Sequence, residues 1–125
     1  MKQRAMPALC ALAVVGMASS YAAAQSAPPT FQADPSVYKV IFEDSNFRVI
    51  EAIRKKGVHD KEHGHPLPFI VYSLSGCETK LYGADGKTRM ANSKPGQAFA
   101  GPVIASHSAE NVGSADCHEI MVERK

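Results

Sequence analysis

The sequence has no tryptophan, 7% aromatic residues and a formal surplus of only two positive charges over 125 residues. So small a charge excess does not build the basic groove that nucleic-acid binding requires. The length leaves no room for a second core, so the chain holds one domain at most. No window of useful length repeats its apolar residues every 3.6 positions, which excludes appreciable helix. No internal repeat is found, and no low-complexity tract beyond one short Pro/Ala-rich stretch. Present instead are 45% hydrophobic and 21% charged residues, the balance of a globular protein rather than a disordered one. Nine Gly and eight Pro imply frequent turns and favour an all-β chain.

Lys2 and Arg4 precede an apolar run from Ala5 to Ala18, followed by small residues that include Ala22 and Ala24. A basic start, a short apolar stretch and small residues at −3 and −1 form a secretory signal peptide, residues 1–24. The run is short for a bilayer span, although an uncleaved anchor is the alternative. Cys10 lies early in the run, without the upstream Leu of a lipoprotein. Without Lys2 and Arg4 the 14 basic residues become 12, equal to the 12 acidic ones. The processed chain therefore has no electrostatic attraction to nucleic acid or to a membrane. The pattern is of bacterial type and predicts a periplasmic or secreted protein, where disulfides persist. Two cysteines then remain, Cys77 and Cys117. They either pair or stay as separate buried thiols.

Residues 25–36 (QSAPPTFQADPS) read as an extended arm, and 37–125 as the domain. Short strands are expected over 38–42, 47–54, 69–75, 77–82, 87–91, 97–100, 104–110 and 117–123. Phe47, Val49 and Ile53 share one face, and Ala84-Asp85-Gly86 makes a hairpin turn. Eight or so short strands with Gly/Pro/Asn turns predict a small sandwich or jelly-roll barrel.

His63 and His65 stand two apart, so on a strand both imidazoles point the same way. His107, on a later strand, can supply a third ligand. Neutral imidazole suits divalent Fe, Mn, Zn, Ni or Cu. Three protein ligands leave coordination positions open, as catalytic rather than structural sites do.

The surrounding spacing adds to this. Gly57, His63, His65, position 69 and Gly76 fall at the intervals of the first motif of the cupin superfamily. Gly96, Pro102, position 104, His107 and Asn111 fall at those of the second. The chain thus resembles a small single-domain bacterial exported cupin. The resemblance spans Gly57 to Asn111 and implies an all-β cupin jelly-roll barrel with almost no helix. Two positions depart from the pattern. Ile104 replaces a glycine. Phe69 replaces the metal-binding glutamate, which leaves a three-His variant like the cysteine dioxygenase and diketone-cleaving branches. Three neutral imidazoles leave the full charge on a divalent ion, which favours a small anionic, chelating ligand. Phe69 also makes the cavity more apolar.

Phe69 and Ser73, four residues apart on one face, are expected to line the pocket, with Ser73 a supporting polar group. Tyr72 and Tyr82 are further lining candidates. His59 is expected in solvent, His118 as structural or exposed, Glu110 facing away from His107, and Asn111 shaping a turn. The cupin topology lays the strand ending near Gly76 beside the last strand, which brings Cys77 near Cys117. Three functions are then open: a dioxygenase-type enzyme, a non-catalytic small-ligand- or metal-binding cupin, and a metal-free interaction barrel. The expected partners are a small molecule and a second copy in a homodimer.

Overall fold

The computed structural model describes residues 26–125. The expected signal peptide, Cys10 included, lies outside the described residues. Nine strands follow one helical turn, α1 (Thr30–Ala33). They are β1 (Tyr38–Glu43), β2 (Phe47–Arg54), β3 (His63–His65), β4 (Phe69–Ser73), β5 (Cys77–Gly83), β6 (Thr88–Ser93), β7 (Ala98–Gly101), β8 (Ile104–Asn111) and β9 (Cys117–Arg124). They form two antiparallel sheets, one ordered β1-β2-β9-β4-β7 and the other β3-β8-β5-β6. No helix among the described residues is long and apolar enough to cross a membrane.

Alternation along the strands decides what faces inward. In β4 the residues Phe69, Val71 and Ser73 are buried while Ile70 and Tyr72 are exposed, the period of two that a half-buried strand requires. Ile50 of β2 and Met121 of β9, paired across the sheet, join Phe69, Val71, Ala52 and Tyr38 in the core. Ile50 is fully buried, and such a side chain contributes about 1.5–3 kcal/mol.

Phe47, Val49 and Ile53 do share a face of β2, but Phe47 is 45% and Ile53 39% exposed, so it is the outer face. The inner face carries Ile50, Ala52 and Arg54. Periodicity alone misleads here because Arg54 is buried against an acidic partner instead of pointing to water.

The segment read as an extended arm is also different in part. Residues 27–29 run alongside β3, with Gly64 N donating to Pro28 O at 2.9 Å and Ala27 N to Ala105 O at 3.0 Å. The chain then coils through α1, where Asp34 N donates to Thr30 O. Pro29, with φ of −59°, presets the entry into this turn. The arm docks because Thr30 is fully buried and Phe31 lies 4.6 Å from the Arg48 guanidinium. The close approach also requires glycine between the two histidines. A Cβ on Gly64 would stand 2.8 Å from Ala105 O and 2.9 Å from Ala27 O.

Candidate metal centre

β3 is only three residues long, His63-Gly64-His65, yet it carries two of the three candidate ligands. It lies antiparallel to β8, with His63 opposite His107 and His65 opposite Ile104. One potential ligand nitrogen from each of His63, His65 and His107 lies within 4.8 Å of the others. His65 Nε2 is 2.9 Å from His107 Nε2, and the His63 ring centroid is 4.6 Å from that of His107. The side chains of His63 and His65 are almost wholly buried.

The protein prepares these rings for a cation. His63 Nδ1 donates to Lys61 O at 2.8 Å, which fixes the proton on Nδ1 and leaves Nε2 as a lone-pair donor. His65 Nδ1 is buried without a hydrogen-bond partner, while its Nε2 pairs with His107 Nε2. Burial holds all three rings neutral. It lowers the pKa of His65 to about 3, with help from the positive charge that His107 and His63 would carry. It lowers His107 to about 4, assisted by His63. It lowers His63 as well, against the opposing pull of Asp60. A metal needs neutral imidazole, so the site is set for ligation at neutral pH. Two nitrogens about 2.1 Å from an ion stand about 3.0 Å apart when they bind at right angles and about 3.4 Å apart in a tetrahedron. The His65–His107 separation is close to the first of these and is also hydrogen-bond length, and the three donor atoms lie within 4.8 Å of one another, near enough to share one ion.

The three rings line a cavity of about 290 Å³. Phe69 lines it and stacks on His65, with ring centroids 4.2 Å apart. Position 69 therefore places a hydrocarbon ring directly against His65. Ile104, Leu81, Met121 and Phe99 extend the apolar wall. Gly101 opposes Phe69 across β4 and β7, and a Cβ there would fall 2.0 Å from the Phe69 ring. The aromatic side chain at 69 needs glycine at 101.

Ser73 does not line this cavity. It is fully buried one layer behind, with its Oγ 2.7 Å from Ser93 Oγ and a hydrogen bond to Glu119. The shared face with Phe69 is real, but the strand has moved past the cavity by position 73. Tyr72 is on the outer face, 46% exposed. Tyr82 also lies outside, stacked on His59 and bonded to Glu110. His59 binds Ser108 at 2.8 Å and stays apart from the cluster. His118 pairs with Glu51 on the outer face at 2.9 Å. Asn111 ties a turn through Gly113 N, Ala115 O and Arg54 O.

Cys77 and Cys117 are joined as a disulfide with Cα atoms 5.0 Å apart. Glu119 has a carboxylate oxygen near both sulfurs. Those sulfurs are bonded to each other and offer no thiolate, so this grouping is not a second metal site.

Of four polar residues that matter here, three have no sequence signature. Asp60 Oδ2 accepts from Tyr38 OH at 2.6 Å and from Arg54 Nη2 at 3.1 Å, and its Oδ1 accepts from Ala109 N at 2.7 Å. The same Oδ1 is 3.7 Å from His63 Nδ1. This buried network braces the wall behind His63. Burial also holds Tyr38 firmly as the neutral phenol. The fourth residue, Glu119, faces the cavity from β9, and burial raises its pKa against the pull of Arg54 and of the bond to Ser73. Only Glu119 is suggested by a pattern, since alternation puts it on the same face as Cys117 and Met121.

No protein-family model and no curated protein matches this sequence. Solved structures do. A cupin domain from Bordetella pertussis Tohama I superposes with a TM-score of 0.66, covering 71% of this chain and 92% of that one at 17% identity. The fold is that of the cupin superfamily. An RmlC-like cupin family protein from Methanocaldococcus jannaschii matches with a TM-score of 0.58 at 16% identity, over 70% of this chain and 78% of its own. The polyketide cyclase RemF from Streptomyces resistomycificus gives 0.55 at 19% identity, over 70% and 63%. These likenesses establish the cupin barrel, and the residues inside it must supply the argument for function.

Proposed function

We propose that this cupin is an exported protein that holds one divalent metal ion through His63, His65 and His107 and binds a small anionic ligand beside it. The convergence of three neutral, buried imidazoles on one point carries this reading. When bound, the ion supplies Lewis acidity and open coordination positions for a ligand's anionic oxygens or sulfur. The chain's own residues do the rest. Lys61 O orients His63, and Asp60 and Arg54 brace the wall behind it. Phe69 and Phe99 make the cavity wall beside the imidazoles apolar. With no carboxylate at position 69, an anionic ligand is the group left to balance the charge.

A dioxygenase-type reaction on such a ligand is the catalytic form of this proposal. A binder without turnover is the competing form, and the apolar cavity beside Phe69 favours it. Export is part of the reading, supported by the Cys77–Cys117 bond, which oxidising compartments maintain. Metal analysis of protein purified without a histidine tag tests the central claim. One equivalent of metal in the native chain, lost in His107→Ala, is the expected result. Substoichiometric metal, unchanged by that substitution, refutes it. Oxygen uptake by the metal-loaded protein on a panel of small thiols and diketones separates enzyme from binder.

A further inference from the structure

The cavity wall carries one charged group that the metal site does not use. Of its ionisable side chains, the three imidazoles and Tyr38 are held neutral by burial. Arg54 is paired with Asp60 at 3.1 Å. Glu119 is bonded to Ser73, and burial shifts its carboxyl toward the neutral acid. That leaves Arg89 of β6. The ion pairs among the described residues involve Arg48, Arg54, His63, His118 and Lys125, and none engages Arg89.

Register explains why this arginine faces into a barrel. Leu81 of β5 stands opposite Arg89 on one side and opposite buried Ala109 of β8 on the other. Residues directly opposite in a sheet share a face, so the three form one inner row, and all three line the cavity. His107 lies two positions from Ala109 and is on that same face. β5 separates β6 from β8, so the backbones that carry Arg89 and His107 stand roughly 10 Å apart. Leu81 floors the gap. β6 and β7 are end strands of their sheets and do not pair with each other. Arg89 on one and Phe99 on the other are both exposed, and both line the cavity across this open seam.

We infer that the ligand of this cavity is a small dianion of the dicarboxylate class, one end facing the three imidazoles and the other held by Arg89, with a short hydrocarbon spacer lying on Leu81. The first end rests on the metal reading, and the second does not. A guanidinium offers a carboxylate two parallel N–H donors as well as charge, which neither water nor a neutral amide reproduces. The apolar walls at Phe99 and Ile104 strengthen that pairing. No carboxylate of the wall competes for Arg89, since Glu119 is engaged by Ser73. Two positive centres set apart by hydrocarbon select two anionic groups set apart by hydrocarbon.

Titration of the zinc-loaded native chain with glutarate and with butyrate, followed by the amide NMR shifts of Leu81 and Phe99, tests this. Glutarate is expected to bind at least about tenfold more tightly, the worth of one charge-assisted hydrogen-bonded pair. Arg89→Gln removes that advantage, and Arg89→Lys keeps only part of it. Arg89 is exposed, and circular dichroism checks that both variants keep the native spectrum. Equal affinity for the two acids in the native chain overturns the inference, as does an advantage that persists in folded Arg89→Gln. A native chain that takes up no zinc refutes the metal reading alone. The Arg89 end is then judged in chelator-treated protein, where butyrate shifts the same amides in the native chain and not in Arg89→Gln. Butyrate shifts that are absent from the native chain, or equal in the two proteins, overturn it there.

Discussion

His65 Nε2 and His107 Nε2 lie 2.9 Å apart although 42 positions separate them in the chain. They face each other across the β3–β8 pair, with His63 directly opposite His107. His59 precedes His63 by one helical turn's worth of sequence but binds Ser108 outside this group. The expected outcome of substitution is therefore selective. His65→Ala loses bound metal, and His59→Ala keeps the native metal-to-protein ratio. Elemental analysis of the two purified variants checks this.

Phe69 lines the cavity and stacks on His65, so a carboxylate placed there would lie beside the three imidazoles. Phe69→Glu is expected to tighten metal binding, because an added carboxylate cancels one of the ion's two charges and removes a water-excluding ring. Competition with a chromogenic chelator measures the change. Equal or weaker binding in a folded variant contradicts this account of the position.

Arg54 and Asp60 form a pair whose side chains are 5% and 0% exposed. Asp60→Ala leaves the guanidinium buried without its counter-ion and frees Tyr38 OH and Ala109 N from their acceptor. A loss of about 3–5 kcal/mol is expected, the range for breaking a buried pair from one side. Urea unfolding followed by circular dichroism gives the value.

Burial raises the Glu119 pKa in the folded state above its unfolded value. The native protein thus binds this proton more tightly than the unfolded chain does. Stability from Glu119 is greatest below the unfolded pKa and declines as pH rises toward the folded one. Glu119→Gln, which is neutral at every pH, is expected to raise stability at pH 7.5 and leave it nearly unchanged at pH 4. Thermal melts of both proteins at the two pH values show whether the difference has this sign.

The Cys77–Cys117 bond closes a loop of 40 residues. Chain entropy assigns such a cross-link about 4 kcal/mol. Denaturant titrations with and without reductant are expected to differ by that order. Two titratable thiols in unreduced, denatured protein exported to the periplasm remove the basis for the prediction.

Much of the architecture was legible because β-strands advertise themselves locally. Strand β2 runs over the expected residues 47–54, and the hairpin at Gly86 has the positive φ of 77° that its turn requires. The histidines were legible for a related reason. A two-residue spacing and the cupin intervals are properties of the chain itself. Ser73 lies outside the cavity wall but supports it through cavity-lining Glu119, because facing the interior does not specify which layer of the interior. The arm at 25–36 was misread because its docking depends on Thr30 and Phe31 meeting the barrel end, and no local pattern records a distant partner.

The sequence by itself determined the all-β class, the positions of every strand but β3 and the grouping of His63, His65 and His107, since backbone alternation and turn chemistry act over a few residues. Tertiary structure decided which face of β2 points inward, that Asp60 and Arg54 brace His63, and that Glu119 enters the cavity. It also decided that Arg89, opposite Leu81 on an edge strand, faces into the cavity. Those outcomes depend on strand register, set by packing across the whole barrel, and a one-residue slip would turn every one of those side chains to the opposite face.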